Sequence, residues 1–129
     1  MLLVDDDKVF ATAVLTALAA EGTIDVVGVA HDGVEALELS KTLRPDVMLL
    51  DLDMPRMDGF QVMQTLNRRK RRPVVIVLTG LTAREDLARA ERLGPDGLVQ
   101  KTVDVGALIP GIVLTFALAG ERRGSQEER

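Results

Sequence analysis

Four short apolar runs of this sequence are each followed by side chains that can bind a metal ion or a phosphoryl group. The first run precedes Asp5, Asp6 and Asp7, the third precedes Asp51, the fourth precedes Thr79, and the fifth precedes Lys101. Converging carboxylates repel one another by about 4 kcal/mol per pair at ~4 Å and an effective dielectric of about 20. A hard divalent cation relieves that repulsion, and Mg²⁺ commonly takes one or two carboxylates together with water and phosphate oxygens. Convergence of these residues would therefore favour a magnesium site.

The same residue types suit the transfer of a phosphoryl group. A carboxylate such as that of Asp51 can attack phosphorus in line and form an aspartyl phosphate, while a bound cation bridges to the phosphoryl oxygens. Lys101 offers a point charge to those oxygens, and the Thr79 hydroxyl offers a hydrogen-bond donor. Each residue alone has an ordinary structural explanation, namely a helix-start cluster, a loop threonine and a solvated lysine. Their occurrence together at four strand ends favours a functional site over coincidence.

Five short apolar segments alternate along the chain with amphipathic segments. Several are continuously apolar, as expected for strands that are buried on both faces of a parallel sheet. The predicted strands are residues 2–4, 24–29, 47–50, 74–78 and 97–100. Alternating strands and helices imply right-handed crossovers and a doubly wound α/β domain with helices on both faces. The carboxyl ends of such strands meet at one edge of the sheet, which would collect the candidate residues.

The intervening segments carry local signals of helix starts and ends. In the first of them Phe10, Val14 and Leu18 recur every four residues and give a helix one apolar stripe. Capping-box spacing, which marks a helix start, pairs Asp32 with Glu35, Asp58 with Gln61 and Thr82 with Glu85. Pro45 predicts the end of the second helix, and Gly94 predicts a left-handed cap after the fourth.

The fifth predicted helix has an unusual composition. Residues 105–120 hold no charged side chain, but the segment is shorter than the roughly 18–20 apolar residues of a membrane span, and Pro110 and Gly111 interrupt it. If Asp104 caps this helix, Pro110 falls inside it and removes one backbone hydrogen bond. A helix that is apolar on nearly every side is expected in the core or beneath a partner. The sequence thus predicts one domain over residues 1–120, with a charged tail over 121–129 predicted to be disordered.

Composition excludes several classes of protein. The 129 residues fit one domain of ordinary size. The net charge of −4 disfavours nucleic-acid binding by the domain as a whole, and the aromatic share of 2% disfavours a platform for stacked bases. The absence of cysteine excludes disulfides, thiolate zinc sites and iron–sulfur clusters. No signal peptide or membrane span is predicted, which fits a cytoplasmic protein.

Five stretches of the sequence resemble the receiver domain of bacterial two-component response regulators. They are LLVDDD, AHDGVEAL, VMLLDLDMPRMDGF, VVIVLTG and DGLVQK, and the resemblance covers about residues 2–119. The motif DLDMPRMDG is highly specific in that setting. The resemblance implies a flavodoxin-like (βα)5 fold whose five-stranded parallel sheet has the order 2-1-3-4-5.

The resemblance also implies how the acidic residues work. Asp51 would accept the phosphoryl group from a sensor histidine kinase or a small phosphodonor. Asp6 and Asp51 would bind Mg²⁺ directly, Asp5 mostly through water, and Asp53 through its backbone carbonyl. Asp7 would lie just outside the acidic pair.

The remaining members of the site, and the output, follow from the same resemblance. Thr79 and Lys101 would hold the phosphoryl oxygens. The domain would be a signalling switch and not an enzyme, with at most slow self-dephosphorylation. Phosphorylation would change binding to a partner or self-association, for which the face of the fifth helix is the candidate surface.

Three positions depart from the common pattern of that family. Gly80 follows the threonine where a small residue, often alanine, is usual, and glycine is tolerable there. Leu98 stands where many members have an aromatic ring, and Thr102 stands where many have a proline. The phosphorylation site is therefore complete in residue type, whereas the relay from the site to the surface departs from the pattern.

The same residues are compatible with two other functions. Asp51 and Asp53 after an apolar strand also resemble the nucleophile motif of haloacid-dehalogenase phosphatases, although that family places its paired acids downstream of the nucleophile. A receiver-fold binding module that is not phosphorylated is a third hypothesis, supported by Leu98 and Thr102. The basic run at residues 68–72 is interpreted as a solvated loop, and His31, the one histidine, as a structural residue.

Overall fold

Five strands of the described chain lie side by side in one parallel sheet. The computed structural model describes residues 1–54, 58–80, 84–101 and 104–127, from residue 120 onward by the backbone alone. The strands are β1 Leu2–Val4, β2 Gly28–Ala30, β3 Val47–Asp51, β4 Val74–Thr79 and β5 Gly97–Gln100. Their order is β2-β1-β3-β4-β5, and neighbouring strands are parallel. This confirms the predicted doubly wound architecture and the order 2-1-3-4-5.

A helix follows each strand along the chain. The helices are α1 Lys8–Glu21, α2 Gly33–Leu43, α3 Gly59–Asn67, α4 Arg84–Arg92 and α5 Val105–Glu127. Helices α1 and α5 cover one face of the sheet, and α2, α3 and α4 cover the other. Both faces of the central strands are therefore removed from water.

Alternate residues of the central strands enter two separate cores. In β4, Val75 and Val77 contact the core beneath α2, α3 and α4, whereas Ile76 and Leu78 contact the core beneath α1 and α5. Burial of each such aliphatic side chain contributes about 1.5–3 kcal/mol. Before its last residue, a strand that fills both cores has no position for a polar side chain, which explains the continuous apolar runs.

Local capping signals define the helix starts. Asp32 accepts a hydrogen bond from the Glu35 N–H and caps α2. Asp58 and Gln61 form the complete reciprocal box at the start of α3. These two predicted starts are confirmed, and the third, at Thr82, lies outside the described residues.

The predicted helix ends near Pro45 and Gly94 are also confirmed. Arg44 has a left-handed backbone with φ of 47° and ends α2 directly before Pro45. Gly94 is left-handed, with φ of 71°, two residues after α4. Both turns allow the chain to reverse toward the next strand.

The extent of the second strand differs from the prediction. The sequence indicates a strand over residues 24–29, but β2 begins at Gly28 and ends at Ala30. The register pairs Leu2 with Gly28, so the ladder spans the three residues of β1. Ile24 is buried against the α1–α5 core without joining that ladder. The apolar character of Ile24 therefore reflects its burial in the core and not strand pairing.

Helix α5 combines a buried side and an exposed side. Leu108, Ile109 and Ile112 are buried in the core, whereas Pro110 lies on the exposed side of the helix. The backbone stays helical to Glu127, through residues whose composition predicts disorder, and the domain boundary at residue 120 stays a prediction. Within the described part of the chain, no helix is long and apolar enough to cross a membrane.

Two residues of the basic run before β4 make specific contacts. Arg69 donates to the Ser40 hydroxyl at 2.7 Å. Arg72 forms an ion pair with Asp96 at 3.0 Å and also donates to the Gly94 carbonyl, which ties the entry of β4 to the entry of β5. The other three basic residues are exposed: Arg68, Lys70 and Arg71.

Candidate functional site

Four strands end at one edge of the sheet, and each brings a candidate side chain there. Asp5 follows β1, Asp51 is the last residue of β3, Thr79 is the last residue of β4, and Lys101 follows β5. The register pairs Asp51 with the residue before Thr79, and pairs Thr79 with the residue before Lys101. The four ends are therefore nearly level, as expected at the carboxyl edge of a parallel sheet.

The Lys101 ammonium lies between two buried carboxylates. Its Nζ atom is 3.1 Å from Asp51 Oδ2 and 3.3 Å from Asp5 Oδ2. Asp5 is 0% exposed and Asp51 is 1% exposed. Asp6 joins them from the solvent side, since one oxygen of each of the three aspartates lies within 4.8 Å of the others. The predicted convergence of distant acids and an amine is thus present.

Polar burial in the described residues is concentrated at this edge. Asp5, Asp51 and Thr79 are three of the four buried polar side chains there, and Ser40 is the fourth. A buried charge costs several kcal/mol unless partners compensate for the lost water. A fold that keeps two buried carboxylates side by side retains a destabilising arrangement, which is typical of a functional site.

The neighbours of Asp51 and Lys101 set their protonation. Burial raises the pKa of the Asp51 carboxyl from 3.8 to about 6; the Asp53 backbone N–H acts to lower this pKa, the Asp5 charge to raise it, and the Lys101 charge to lower it. Burial alone would lower the pKa of Lys101, but Asp51 and Asp5 together raise that pKa above its ordinary value. At neutral pH the site therefore holds a charged amine beside an ionised Asp51.

One oxygen of the cluster has no hydrogen bond. Asp5 Oδ2 is the one buried side-chain oxygen or nitrogen without such a bond among the described residues. It contacts Lys101 Nζ as an ion pair, but the geometry is not that of a hydrogen bond. The other oxygen, Oδ1, accepts from the Asp7 N–H at 2.9 Å. An acceptor left over beside two further carboxylates suits a hard divalent cation.

Two nearby aspartates serve the backbone. Asp7 accepts from the N–H groups of residues 9 and 10, each at 3.0 Å, and thereby caps α1. The Asp53 carboxylate accepts from the Gly80 N–H at 3.2 Å, which joins the loops after β3 and β4. The Asp53 N–H donates to Asp51 Oδ1 at 2.9 Å. The Asp53 carboxylate thus contacts the loop after β4, and a metal contact through the Asp53 carbonyl stays a prediction from the resemblance.

The threonine and the two departures have distinct places. The Thr79 carbonyl accepts from the Lys101 N–H at 2.7 Å, which ties the ends of β4 and β5. Leu98 is partly buried and packs against the core beneath α2, α3 and α4. Thr102 lies outside the described residues.

Reasoning from the sequence missed two residues that shape the site. His31 Nδ1 lies 3.0 Å from the Asp5 carbonyl oxygen. A Cβ atom at Gly59 would lie 2.5 Å from the Asp51 carbonyl oxygen and 2.5 Å from Leu52 Cα. Gly59 had a signal, because it directly follows the cap residue in the DLDMPRMDG motif. For His31 no spacing indicated a link to Asp5.

Comparison with known proteins identifies a matching family and similar sequences. A family model described as the response regulator receiver domain matches residues 1–112. The chain is 33% identical over 121 residues to the nitrate/nitrite response regulator protein NarL of Escherichia coli, which is 94% of this chain and 55% of that protein. It is 38% identical over 103 residues to a protein-glutamate methylesterase/protein-glutamine glutaminase of Methanospirillum hungatei, which is 78% of this chain and 30% of that protein. The chain thus spans about a third to about half of the length of these relatives.

Solved structures of similar chains share the fold. The signal receiver domain of a NarL response regulator from Mycobacterium tuberculosis has a TM-score of 0.78 at 32% identity, with 87% of this chain and 90% of that chain covered. The receiver domain of Francisella response regulator 1452 has a TM-score of 0.78 at 31% identity, with 94% and 96% covered. The response regulator domain of Thermotoga maritima CheB has a TM-score of 0.81 at 24% identity, with 92% of each chain covered, a likeness of fold alone.

Proposed function

Because this chain belongs to the family of response regulator receiver domains, we propose that it acts as a phosphorylation switch in a two-component system. A sensor histidine kinase or a small phosphodonor supplies the phosphoryl group, and the Asp51 carboxylate accepts it. The observation that carries this proposal is the position of Asp51, 3.1 Å from the Lys101 ammonium and grouped with Asp5 and Asp6.

In the proposed step an Asp51 oxygen attacks phosphorus in line with the P–N bond of a phosphohistidine. The O–P bond forms as the P–N bond breaks, and the leaving nitrogen keeps the electron pair, so that the ring departs as neutral imidazole after protonation. Lys101 neutralises charge on the phosphoryl oxygens, and Thr79 donates a hydrogen bond to one of them. With a pKa of about 6, Asp51 is mostly ionised and able to attack at neutral pH.

Mg²⁺ is the cation that we expect at the acidic cluster. The unbonded Oδ2 of Asp5 and the carboxylates of Asp6 and Asp51 offer the oxygen ligands that a hard cation prefers, with the Asp53 carbonyl as a further ligand. When bound there, the ion would supply positive charge that offsets the negative charge developing during phosphoryl transfer.

The proposed function is tested by treating the protein with acetyl phosphate and Mg²⁺ and measuring its intact mass. We expect the mass gain of one phosphoryl group, its loss when EDTA removes the cation, and its location at Asp51 after borohydride reduction converts the acyl phosphate to homoserine. A protein that gains no phosphoryl group in the presence of Mg²⁺ would contradict the proposal and favour the binding module that is not phosphorylated.

The phosphatase alternative is not favoured. Asp51 lies on β3, the third strand of the chain, whereas haloacid-dehalogenase phosphatases place the nucleophile on the first strand. The acidic cluster after β1 also precedes it in sequence. We expect at most slow self-dephosphorylation, and sustained turnover of a phosphate monoester would contradict that.

For the output, we propose self-association through the exposed face of α5. Leu114 is 60% exposed and Leu118 is 48% exposed on that face. Residues 105–120 carry no charge, so two copies can meet there without like-charge repulsion although each chain carries −4. A cytoplasmic location and the absence of direct nucleic-acid binding stay predictions from the sequence.

A charge on the α5 face should prevent this self-association. We expect Leu114→Lys to weaken dimer formation at least about tenfold in the phosphorylated protein, because burying the ammonium in an apolar interface costs more than ~1.4 kcal/mol. Val27→Lys is the matched control, since Val27 is 52% exposed on the β2 side of the sheet. Sedimentation velocity with and without phosphodonor measures both variants. An equal loss in the two variants would show that the effect is not specific to α5 and would contradict this surface.

A further inference from the structure

Every polar atom of Asp5 except one has a hydrogen-bonding partner. Its N–H donates to the Ala30 carbonyl at 3.0 Å, and its carbonyl oxygen lies 3.0 Å from His31 Nδ1. Its Oδ1 accepts from the Asp7 N–H at 2.9 Å. The remaining atom, Oδ2, is the one that faces Lys101 and the acidic cluster. The direction of this oxygen therefore depends on the contacts that fix the other three atoms.

The chemistry of the His31 contact fixes its proton. A carbonyl oxygen can only accept a hydrogen bond, so Nδ1 must carry the hydrogen that His31 donates to Asp5. In the neutral ring the lone pair then resides on Nε2. This is a specific tautomer, and the chain has a single histidine in which to observe it.

His31 is itself held by the first turn of α2. Its backbone N–H donates to a carboxylate oxygen of Glu35 at 3.2 Å. The Glu35 N–H in turn donates to Asp32, the residue that caps α2. This chain of contacts ties the ring to the start of α2, and the ring ties the start of α2 to Asp5.

We propose that His31 is a positioning residue of the metal site, which acts by holding the Asp5 carbonyl so that Oδ2 stays directed into the acidic cluster that would hold the cation. Without the ring, one hydrogen bond, from the Asp5 N–H to Ala30, would link Asp5 to β2, a strand of three residues. Mg²⁺ demands near-ideal octahedral geometry, so a small rotation of Asp5 weakens binding. The proposal rests on the function proposed above.

The contact itself is tested in the unaltered protein by long-range ¹H–¹⁵N NMR of the imidazole. We expect a protonated Nδ1 and an unprotonated Nε2 at about pH 8.5, where an ordinary imidazole is neutral. The opposite tautomer, with the proton on Nε2, would overturn the inference regardless of whether the protein binds a metal or a phosphoryl group.

The effect on the site is tested by isothermal titration calorimetry with Mg²⁺, since the chain has no tryptophan or tyrosine for intrinsic fluorescence. We expect His31→Leu to weaken Mg²⁺ binding about tenfold, as the loss of groups that orient metal ligands commonly does. His31→Asn should restore most of the affinity, because its amide nitrogen stands near the position of Nδ1. His31→Gln should not, because its donor lies one methylene further out.

Leu37→Ala separates this effect from lost stability. Leu37 is a partly buried residue of α2 that packs against the core, so its truncation destabilises the helix while the His31 contact remains. Equal Mg²⁺ affinity in His31→Leu and the native protein would overturn the positioning role of His31 but not the proposed function. Equal weakening in Leu37→Ala would do the same. If His31→Leu does not fold, the Asn and Gln variants decide. Failure of the native protein to bind Mg²⁺ would overturn the proposed function and this inference together.

Discussion

We expect Asp51→Asn to take up no phosphoryl group and, without divalent cations at neutral pH, to unfold at a higher temperature than the native protein. The first result follows because an amide is not a nucleophile toward phosphorus and because Asp51 is the proposed acceptor. The second follows because the native fold keeps this carboxylate 1% exposed beside Asp5. Both are measured on the same preparation, by intact mass and by thermal unfolding.

The stability effect has a sign and a pH window. The folded-state pKa of Asp51 lies at about 6, above the ordinary 3.8, chiefly through burial. Between those values the folded protein holds more protons than the unfolded chain, so the free energy of unfolding falls as the pH rises through this window. The loss of unfolding free energy caused by ionising the buried Asp51 is therefore complete above about pH 6 and absent below about pH 4. Asp51→Asn removes it, so its advantage should be present at pH 7.5 and vanish near pH 3.5.

Two terms set the size of this advantage. A rise of about two pKa units corresponds to about 3 kcal/mol. The Asp51 carboxylate accepts from the Asp53 N–H and pairs with Lys101, but the asparagine amide has only one oxygen and keeps only one of these contacts. The lost contact lowers the stability of the variant by about 1 kcal/mol. A net gain of about 2 kcal/mol therefore remains, or roughly 6–10 °C in the midpoint.

Mg²⁺ provides the control for this prediction. The ion should stabilise the native protein through binding and narrow the difference from the variant, because stabilisation grows with ligand concentration over Kd. A phosphoryl group that persists on Asp51→Asn would contradict the assignment of the acceptor. An advantage that grows as the pH falls would contradict the burial argument.

Gly59→Ala should be destabilised by about 2–3 kcal/mol and should lose much of its phosphoryl uptake. The added Cβ would lie 2.5 Å from the Asp51 carbonyl oxygen and from Leu52 Cα, and both are backbone atoms that cannot rotate away. Relief requires the start of α3 to move away from the end of β3, which also breaks the Gly59 N–H to Leu52 carbonyl hydrogen bond. Forced overpacking of this kind typically costs about 1–3 kcal/mol, and more against backbone.

Gly80→Ala is the matched control for that variant. Among the described residues, the nearest atom to its Cβ would be Asp53 Oδ2, at the ordinary contact distance of 3.7 Å. We expect an unchanged or slightly higher free energy of unfolding. Alanine lowers the conformational entropy of the unfolded chain, which typically stabilises the folded protein by about 0.4–1 kcal/mol. Urea unfolding of both variants measures the difference. Equal stability of the two variants would show that α3 adjusts freely and that Gly59 does not set the shape of the loop after β3.

Asp51 and Ile24 show the limits of what the sequence predicts. Asp51 could be located from the sequence, since an acid after a continuously apolar run belongs at a strand end. Its raised pKa could not, because the shift comes chiefly from burial, and the 1% exposure of Asp51 depends on packing between segments distant in sequence. The second strand begins at Gly28, later than the predicted residue 24. Ile24 is as apolar as a strand residue because it is buried in the core, but it does not pair with β1.

The sequence by itself indicated the order of strands and helices and the sheet edge where the aspartates, Thr79 and Lys101 lie. These follow from apolar periodicity and capping residues, which act between near neighbours. The tertiary structure alone decided which Asp5 oxygen lacks a hydrogen bond, that the His31 ring contacts Asp5 from 26 positions away, and that Gly59 admits no side chain. Such contacts depend on strand register and side-chain rotamers across the fold. Of the three, Gly59 alone had a local signal, its place directly after the cap residue in the DLDMPRMDG motif.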